Sequence, residues 1–160
     1  MVWDIFVFLL QCAVVFVLST ALFDALHWLL HRWEQSPNPV LRKFSSWHWV
    51  HHKFLGVDMQ INPAYVRANI WFHILPEYLT SILGTVLFLL VFPWQPIALV
   101  VVIRTIMLGL TLREEGLDFN HMSMDRVGGK QGLLWVNNNY HAMHHVYPHN
   151  FFSSFTNVFD

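Results

Sequence analysis

Charged side chains are scarce in this sequence, where Asp, Glu, Lys and Arg make up only 12% of 160 residues. A soluble domain usually carries about 25% charged residues. Hydrophobic residues make up 55%, so little of the chain suits a water-facing surface and a membrane location is indicated. The net charge of −1 provides no broad basic surface, which argues against nucleic acid as a partner.

Cysteine is almost absent, because Cys12 is the only one in the chain. A single cysteine excludes an intramolecular disulfide and a metal site built from several thiolates. The sequence also lacks glycine-rich loops of the Walker or dinucleotide-binding type. It contains no E-x-x-H motif, which marks the soluble di-iron helix bundles.

Three apolar runs predict membrane-spanning helices, since about 20 helical residues cross the hydrocarbon core. They cover residues 5–26, 75–92 and 97–112, and residues 93–96 contain two prolines. Proline disfavours continuation of a helix, so this short break predicts a tight hairpin between the second and third spans. A cleaved signal peptide is the alternative for the first run, which is longer than a typical apolar signal region and lacks a basic start.

The positive residues predict the orientation in the membrane. Three spans leave no Lys or Arg on one side and place the following eight on the other: Arg32, Arg42, Lys43, Lys53, Arg67, Arg113, Arg126 and Lys130. Because cytoplasmic loops carry the excess of Lys and Arg, we expect the polar regions 32–74 and 113–160 to be cytoplasmic. Arg104 falls inside the third run, where pairing with a carboxylate and snorkelling to the interface are both open.

Histidine is the abundant polar residue, with 11 in the chain. Three boxes, one H-x-x-x-H and two H-x-x-H-H, are formed by His27 and His31, by His48, His51 and His52, and by His141, His144 and His145. Residues three or four apart share one helix face, so each box can direct imidazoles to a common metal. His121 follows the third apolar run as a ninth candidate ligand. The pattern predicts a centre for two metal ions.

Four further residues near the boxes have more than one interpretation. His73 fits an additional ligand, a residue supporting a ligand, or an interface anchor, and His149 fits a ligand or a residue facing the headgroups. Asp24 lies three residues before His27 on the same helix face. Asp24 fits either an acceptor of a hydrogen bond from a ligating histidine or a simple polar residue at the end of the span, and Asp118, three residues before His121, is a weaker candidate for the acceptor role.

The boxes and their order resemble the fatty acid hydroxylase and sterol desaturase superfamily. That family has a first box, an H-x-x-H-H box, a lone histidine in a stretch like Phe119-Asn120-His121, and a final H-x-x-H-H box. Its N-(F/Y), F-T and F-D positions after the last box are matched by Asn150-Phe151, Phe155-Thr156 and Phe159-Asp160. The resemblance covers residues 22–160.

The chain departs from the family at both ends. Only one span precedes the first box, whereas many relatives carry an additional membrane hairpin there. The family commonly continues past the final Asp with a basic residue and a G-T pair, and this sequence stops at Asp160. These differences indicate a truncated or unusually small member. Phe152 also stands where glycine or alanine often follows the Asn-Phe pair.

The resemblance implies one membrane-embedded catalytic domain over residues 1–160. The implied fold is all-α, with about three transmembrane helices and a cytoplasmic cap of short helices that carries the nine histidines. The implied cofactors are two iron ions, which zinc can replace during purification, and the co-substrate is molecular oxygen. The implied reaction is hydroxylation of a fatty acyl or sterol-like lipid. Electrons would come from a separate donor protein, since no flavin, haem or ferredoxin motif is present.

Three other functions fit part of the pattern. A lipid desaturase would use the same site, and only product analysis separates it from a hydroxylase. A membrane metal-binding or transport protein would hold metal without oxygen chemistry, but transporters bind their ions near the membrane midplane and these boxes lie at the interface. A zinc hydrolase needs only three protein ligands and an open position, far fewer than nine.

Overall fold

A computed structural model of the chain describes residues 1–117, 121, 136 and 138–154. The described residues are helical, and their only β-type pairing is an isolated bridge between Leu55 and Ile61. The α-helices are α1 Val2–Arg32, α2 Pro39–Phe54, α3 Val66–Asn69, α4 Leu75–Leu87, α5 Trp94–Arg113 and α6 Asn138–Val146. This confirms the predicted all-α class.

Three helical segments are long and apolar enough to cross a membrane, namely Val2–Gln35, Pro63–Leu90 and Trp94–Arg113. Each contains one of the predicted apolar runs or most of it. The second begins at Pro63, earlier than the predicted start at residue 75, because short helical turns precede the apolar run. The predicted hairpin is present, and Pro93 is the N-cap residue of α5.

Helix α1 runs without Gly or Pro from Val2 to Arg32, and a single buried stripe follows its length. Apart from the adjacent Ser19 and Thr20, its residues are spaced three or four apart, which keeps side chains on one face. It changes from apolar to polar to metal-binding character toward the C-terminus: Cys12, Val15, Ser19, Thr20, Asp24, His27 and His31. One face of α1 thus joins the bundle core to the first histidine box.

The three long helices pack against one another as a bundle, with α1, α4 and α5 in mutual contact. Apolar packing around Cys12, Val15, Ile97 and Val100 forms its core. Between this core and the first histidine box, the guanidinium of Arg104 donates to two hydroxyls of α1. The acceptors are Ser19 Oγ at 2.8 Å and Thr20 Oγ1 at 3.1 Å. Many large apolar side chains point outward from the bundle, as expected for surfaces that face lipid.

Helix α2 packs against α1 and the short helical segments before α4, and it buries one face. Its start is fixed by Asn38, whose side chain accepts a hydrogen bond from the backbone N–H of Val40, and by proline in the first turn. The buried residues recur every three positions, as Ser45, His48, His51 and Phe54. This face points the second histidine box toward the end of α1.

A π-helical segment, Ile70–Ile74, connects α3 to α4. Its backbone carries a bond from the N–H of Leu75 to the carbonyl of Ile70, five residues back. Pro76 follows immediately; it has no N–H to donate and its ring crowds the preceding turn, which favours a widened turn. Asn69 at the end of α3 and His73 in this segment are both buried, and both elements contact α2.

Candidate metal centre

The structure brings together all nine histidines that the boxes and the lone position predicted, and divides them into two groups. Within each group the candidate ligand nitrogens lie within 4.8 Å of one another. The first group, called group one, consists of His27, His31, His48, His52 and His144. The second group, called group two, consists of His51, His121, His141 and His145. The last two boxes are each shared between the groups.

Group one is built around the Nε2 atom of His48. This atom lies 3.1 Å from His27 Nε2, 2.9 Å from His31 Nε2 and 3.2 Å from His52 Nε2. His144 Nε2 approaches His31 Nε2 to 3.1 Å. A neutral imidazole has one N–H and one lone pair, so a single Nε2 atom cannot hydrogen-bond to three neighbours. Hydrogen bonding alone does not explain this convergence.

A metal ion explains the spacing in group one. Metal–imidazole bonds are about 2.0–2.1 Å long, so neighbouring ligands around one ion lie about 2.8–3.4 Å apart in octahedral or tetrahedral geometry. The shortest Nε2 separations in group one are 2.9 to 3.2 Å. Imidazole donors suit iron, zinc, copper and nickel. The donor set and its spacing therefore fit a bound transition-metal ion.

Group two has the same character with four members. His51 Nε2 lies 2.8 Å from His121 Nε2, and the rings of His121 and His141 are 4.5 Å apart between centroids. His145 Nε2 is buried without a hydrogen-bond partner among the described residues. A buried nitrogen without a partner is costly, and a metal ion would use its lone pair.

Backbone carbonyls fix the tautomer of two ligand candidates. The Nδ1–H of His144 donates to the carbonyl of Asn150 at 2.8 Å, and the Nδ1–H of His145 donates to the carbonyl of Leu55 at 2.9 Å. A proton held at Nδ1 leaves the Nε2 lone pair for a metal. The segment after α6 and the end of α2 therefore orient ligands of the third box.

Burial keeps the histidines outside the spanning helices neutral. Removal from water is the largest cause, and positive charge on neighbouring histidines adds to it. Together they hold the pKa well below the usual 6.5 for His48, His51, His52, His141 and His145. Neutral imidazole is the form that binds metal, so these side chains are ready to act as ligands at neutral pH.

The two histidines with open roles lie beside the groups and outside both. His73 Nε2 is 3.0 Å from Glu77 Oε2, and its ring stacks on that of His51. His149 is exposed, with its ring 6.0 Å from that of His31. The contacts of His73 therefore favour the role of a residue that supports a ligand.

Asp24 contacts the segment after α6, and its predicted support of a ligating histidine stays a prediction. Asp24 Oδ1 accepts a hydrogen bond from the backbone N–H of Ser154 at 3.2 Å, and His27 Nδ1 has no partner among the described residues. The carboxylate thus binds the segment after α6, which the sequence spacing on α1 could not reveal. Asp118 lies outside the described residues.

Asn69 is a site residue that the sequence analysis missed. It is fully buried, and its Oδ1 accepts a hydrogen bond from the Nδ1–H of His51 at 3.3 Å. The signal for it was weak, since a single amide four residues before His73 is common in loops. Asn69 belongs to the site because it contacts His51 of α2.

An apolar cavity of about 300 Å³ opens beside the metal centre. It lies between α1, α2 and α4, and two of its walls are group-one histidines, His27 and His48. Aromatic and aliphatic side chains form most of the rest, including Phe23, Leu26, Leu30, Trp33, Leu41, Phe44, Trp47 and Phe72. A separate cavity of about 270 Å³ reaches His31 from the other side and is lined by Arg32, Gln35 and His149 among others.

A small cavity of about 20 Å³ lies where the two groups meet. His27 and His48 of group one and His51 and His141 of group two line it. One water-sized molecule needs about 10–15 Å³, so the space admits a single small molecule in contact with both groups.

Fold and site together define a chain with three helices suited to cross a membrane and a histidine cluster suited to bind metal. Comparisons with protein-family models, curated proteins and solved structures find no match to this chain. The geometry of the site and the resemblance of its histidine boxes are therefore the basis for assigning a function.

Proposed function

We propose that the protein is a membrane di-iron oxygenase that hydroxylates a lipid. The observation that carries the proposal is the pair of histidine groups sharing a small cavity, with an apolar cavity against two of the ligands. The order of the boxes, which resembles that of the fatty acid hydroxylase and sterol desaturase superfamily, supports it. Two iron ions and molecular oxygen are the proposed cofactor and co-substrate, with the histidines on the cytoplasmic side.

The histidines, the apolar cavity and the small cavity each have a separate role in this proposal. The histidines hold the two ions, which supply oxygen activation and oxidation of a C–H bond. The apolar cavity orients a hydrocarbon chain past His27 and His48 and keeps bulk water out. The small cavity positions one molecule of dioxygen size between the groups. One oxygen atom enters the substrate and the other leaves as water, with two electrons from a separate donor protein and two protons.

Desaturation of the same lipid is the alternative outcome at this site. A role in metal transport is disfavoured by Arg104, a buried cation in the middle of α5 that would repel a metal ion passing along the bundle. The cavity that reaches the ligands is also largely apolar, which suits a hydrocarbon better than an ion.

The test is lipid mass spectrometry of cells that produce the protein or its His144→Ala variant. Gain of one oxygen atom in a lipid, dependent on His144, supports hydroxylation, and loss of two hydrogens supports desaturation. Purified protein should hold close to two metal ions per chain, iron or zinc. Unchanged lipids together with full metal content would refute the enzymatic proposal and leave a metal-binding protein.

A further inference from the structure

His51 of group two is held from two directions by the segment before α4. Asn69 Oδ1 accepts a hydrogen bond from its Nδ1–H at 3.3 Å. His73 lies four residues later, and its ring stacks on His51 with centroids 3.9 Å apart and planes 14° from parallel. The edge and the face of the His51 ring are therefore both in contact with this segment.

The stacked ring of His73 is itself fixed by Glu77. The Nε2–H of His73 donates to Glu77 Oε2 at 3.0 Å, one turn further along. This bond occupies Nε2 of His73, and His73 belongs to neither group. Glu77 and His73 also line both the apolar cavity and the small cavity. The pair thus lies between the apolar cavity and the small cavity where the two groups meet.

Asn69 has little freedom to move. It is fully buried, and Gly116 lies so close that an added Cβ would come 2.9 Å from Asn69 Nδ2. Gly116 has a positive φ of 94°, a conformation that favours glycine. The Asn69 amide therefore lies between His51 and the turn that follows α5.

From these contacts we propose that Asn69, His73 and Glu77 are positioning residues for His51. They hold its ring so that Nε2 points into group two, and they set the metal affinity and coordination geometry of that group alone. Residues that orient a ligand in this way typically change metal affinity by about 10- to 100-fold when replaced. The inference rests on the metal binding in the proposed function and does not require lipid oxidation.

The experiment measures one group at a time. A background with His31→Ala, His48→Ala and His144→Ala leaves two ligands in group one and retains group two, and a background with His141→Ala and His145→Ala leaves two ligands in group two and retains group one. Zinc affinity is measured in each by competition with a chromophoric chelator, and the absorption spectrum of the Co²⁺-loaded protein reports ligand geometry. Asn69→Leu, which removes the acceptor, should weaken zinc binding by about 10- to 100-fold only in the background that retains group two.

Conservative and matched variants separate positioning from general damage. Asn69→Asp keeps an acceptor and should restore most of the affinity. His73→Phe keeps a stacked ring but loses the bond to Glu77, and should shift the Co²⁺ spectrum of group two. The matched control is His149→Phe, which changes an exposed histidine beside group one and should leave group two unaltered.

Three results would overturn the proposal. The first is an Asn69→Leu variant with unchanged affinity and spectrum in group two. The second is an equal loss in both groups, and the third is no recovery in Asn69→Asp. If Asn69→Leu fails to fold, the Co²⁺ spectrum of group two in His73→Phe decides. An unchanged spectrum in that variant would overturn the proposal. Two metals without any lipid product would refute the enzymatic function while leaving this inference intact.

Discussion

His144 has both ring nitrogens engaged within the centre. Nδ1 donates to the carbonyl of Asn150, and Nε2 lies 3.1 Å from His31 Nε2. We expect His144→Ala to abolish lipid oxidation and lower metal content while leaving membrane insertion intact, because insertion depends on the apolar helices. His149→Ala should do much less, since His149 is outside both groups. Metal analysis and product formation for each variant provide the measurement.

Full activity and two metals in His144→Ala would show that the histidine groups are not the catalytic centre. Equal damage from His149→Ala would instead extend the centre to include that residue. The two variants change the same residue type within one short segment, so they form a matched pair.

Acid should destabilise the metal-free protein through its buried histidines. Burial holds the folded-state pKa below 6.5 for His48, His51, His52, His141 and His145. The unfolded chain takes up these protons as the pH falls through about 6.5, while the folded chain resists them. The free energy of unfolding should therefore fall below about pH 6.5, by up to about 1.4 kcal/mol per pH unit for each histidine.

Thermal unfolding of the metal-free protein in detergent tests this expectation. These histidines should leave the unfolding temperature unchanged from about pH 8 to about pH 6.5. Below about pH 6.5 they should lower it. A midpoint that rises on acidification would contradict neutral, buried imidazoles. Metal loading should shift the drop to lower pH, because a bound metal competes with protons for the same nitrogens.

Among the elements, α4 offers a test of the apolar cavity. Thr80 lines this cavity and has an exposed side chain, so a larger residue fits there without disturbing the bundle. We expect Thr80→Phe to reduce oxidation of long-chain lipids about 10-fold or more, because a misplaced substrate loses its alignment with the metals. Metal content should remain at two ions, as measured alongside product formation.

Leu79→Phe is the matched control on the same helix. Leu79 is 58% exposed and does not line the cavity, so its enlargement should leave turnover unchanged. Equal loss in both variants would indicate a general effect on α4. No loss in Thr80→Phe would mean that the lipid approaches the metals by another route.

For the whole molecule, the distribution of Lys and Arg predicts the orientation in the membrane. In a Cys12→Ser background, we expect Gln95→Cys and Lys53→Cys to react with impermeant thiol reagents from opposite sides. Gln95 lies in the first turn of α5 and Lys53 at the end of α2, and both are exposed. Labelling of Lys53→Cys from outside would reverse the predicted orientation, and labelling of both from one side would refute three spans.

The helices and the ligand candidates were readable from the sequence because both depend on local patterns. Apolar runs of about 20 residues and a proline break predict spanning helices and a hairpin whatever the packing. The box spacing of three or four residues places histidines on a common helix face in the same local way. Eight of the nine histidines in the two groups were identified on that basis, and His121 by its position after the third apolar run.

Only the tertiary structure decided how the boxes are divided and supported. His51 and His52 are adjacent in sequence, yet they belong to different groups, since neighbouring residues on a helix point about 100° apart and α2 lies between both sets of partners. Asn69, which bonds to His51, and the Leu55 carbonyl, which bonds to His145, came from other elements. Asp24 bonds to Ser154, 130 residues away in sequence. Such contacts depend on how helices pack, which local spacing does not encode.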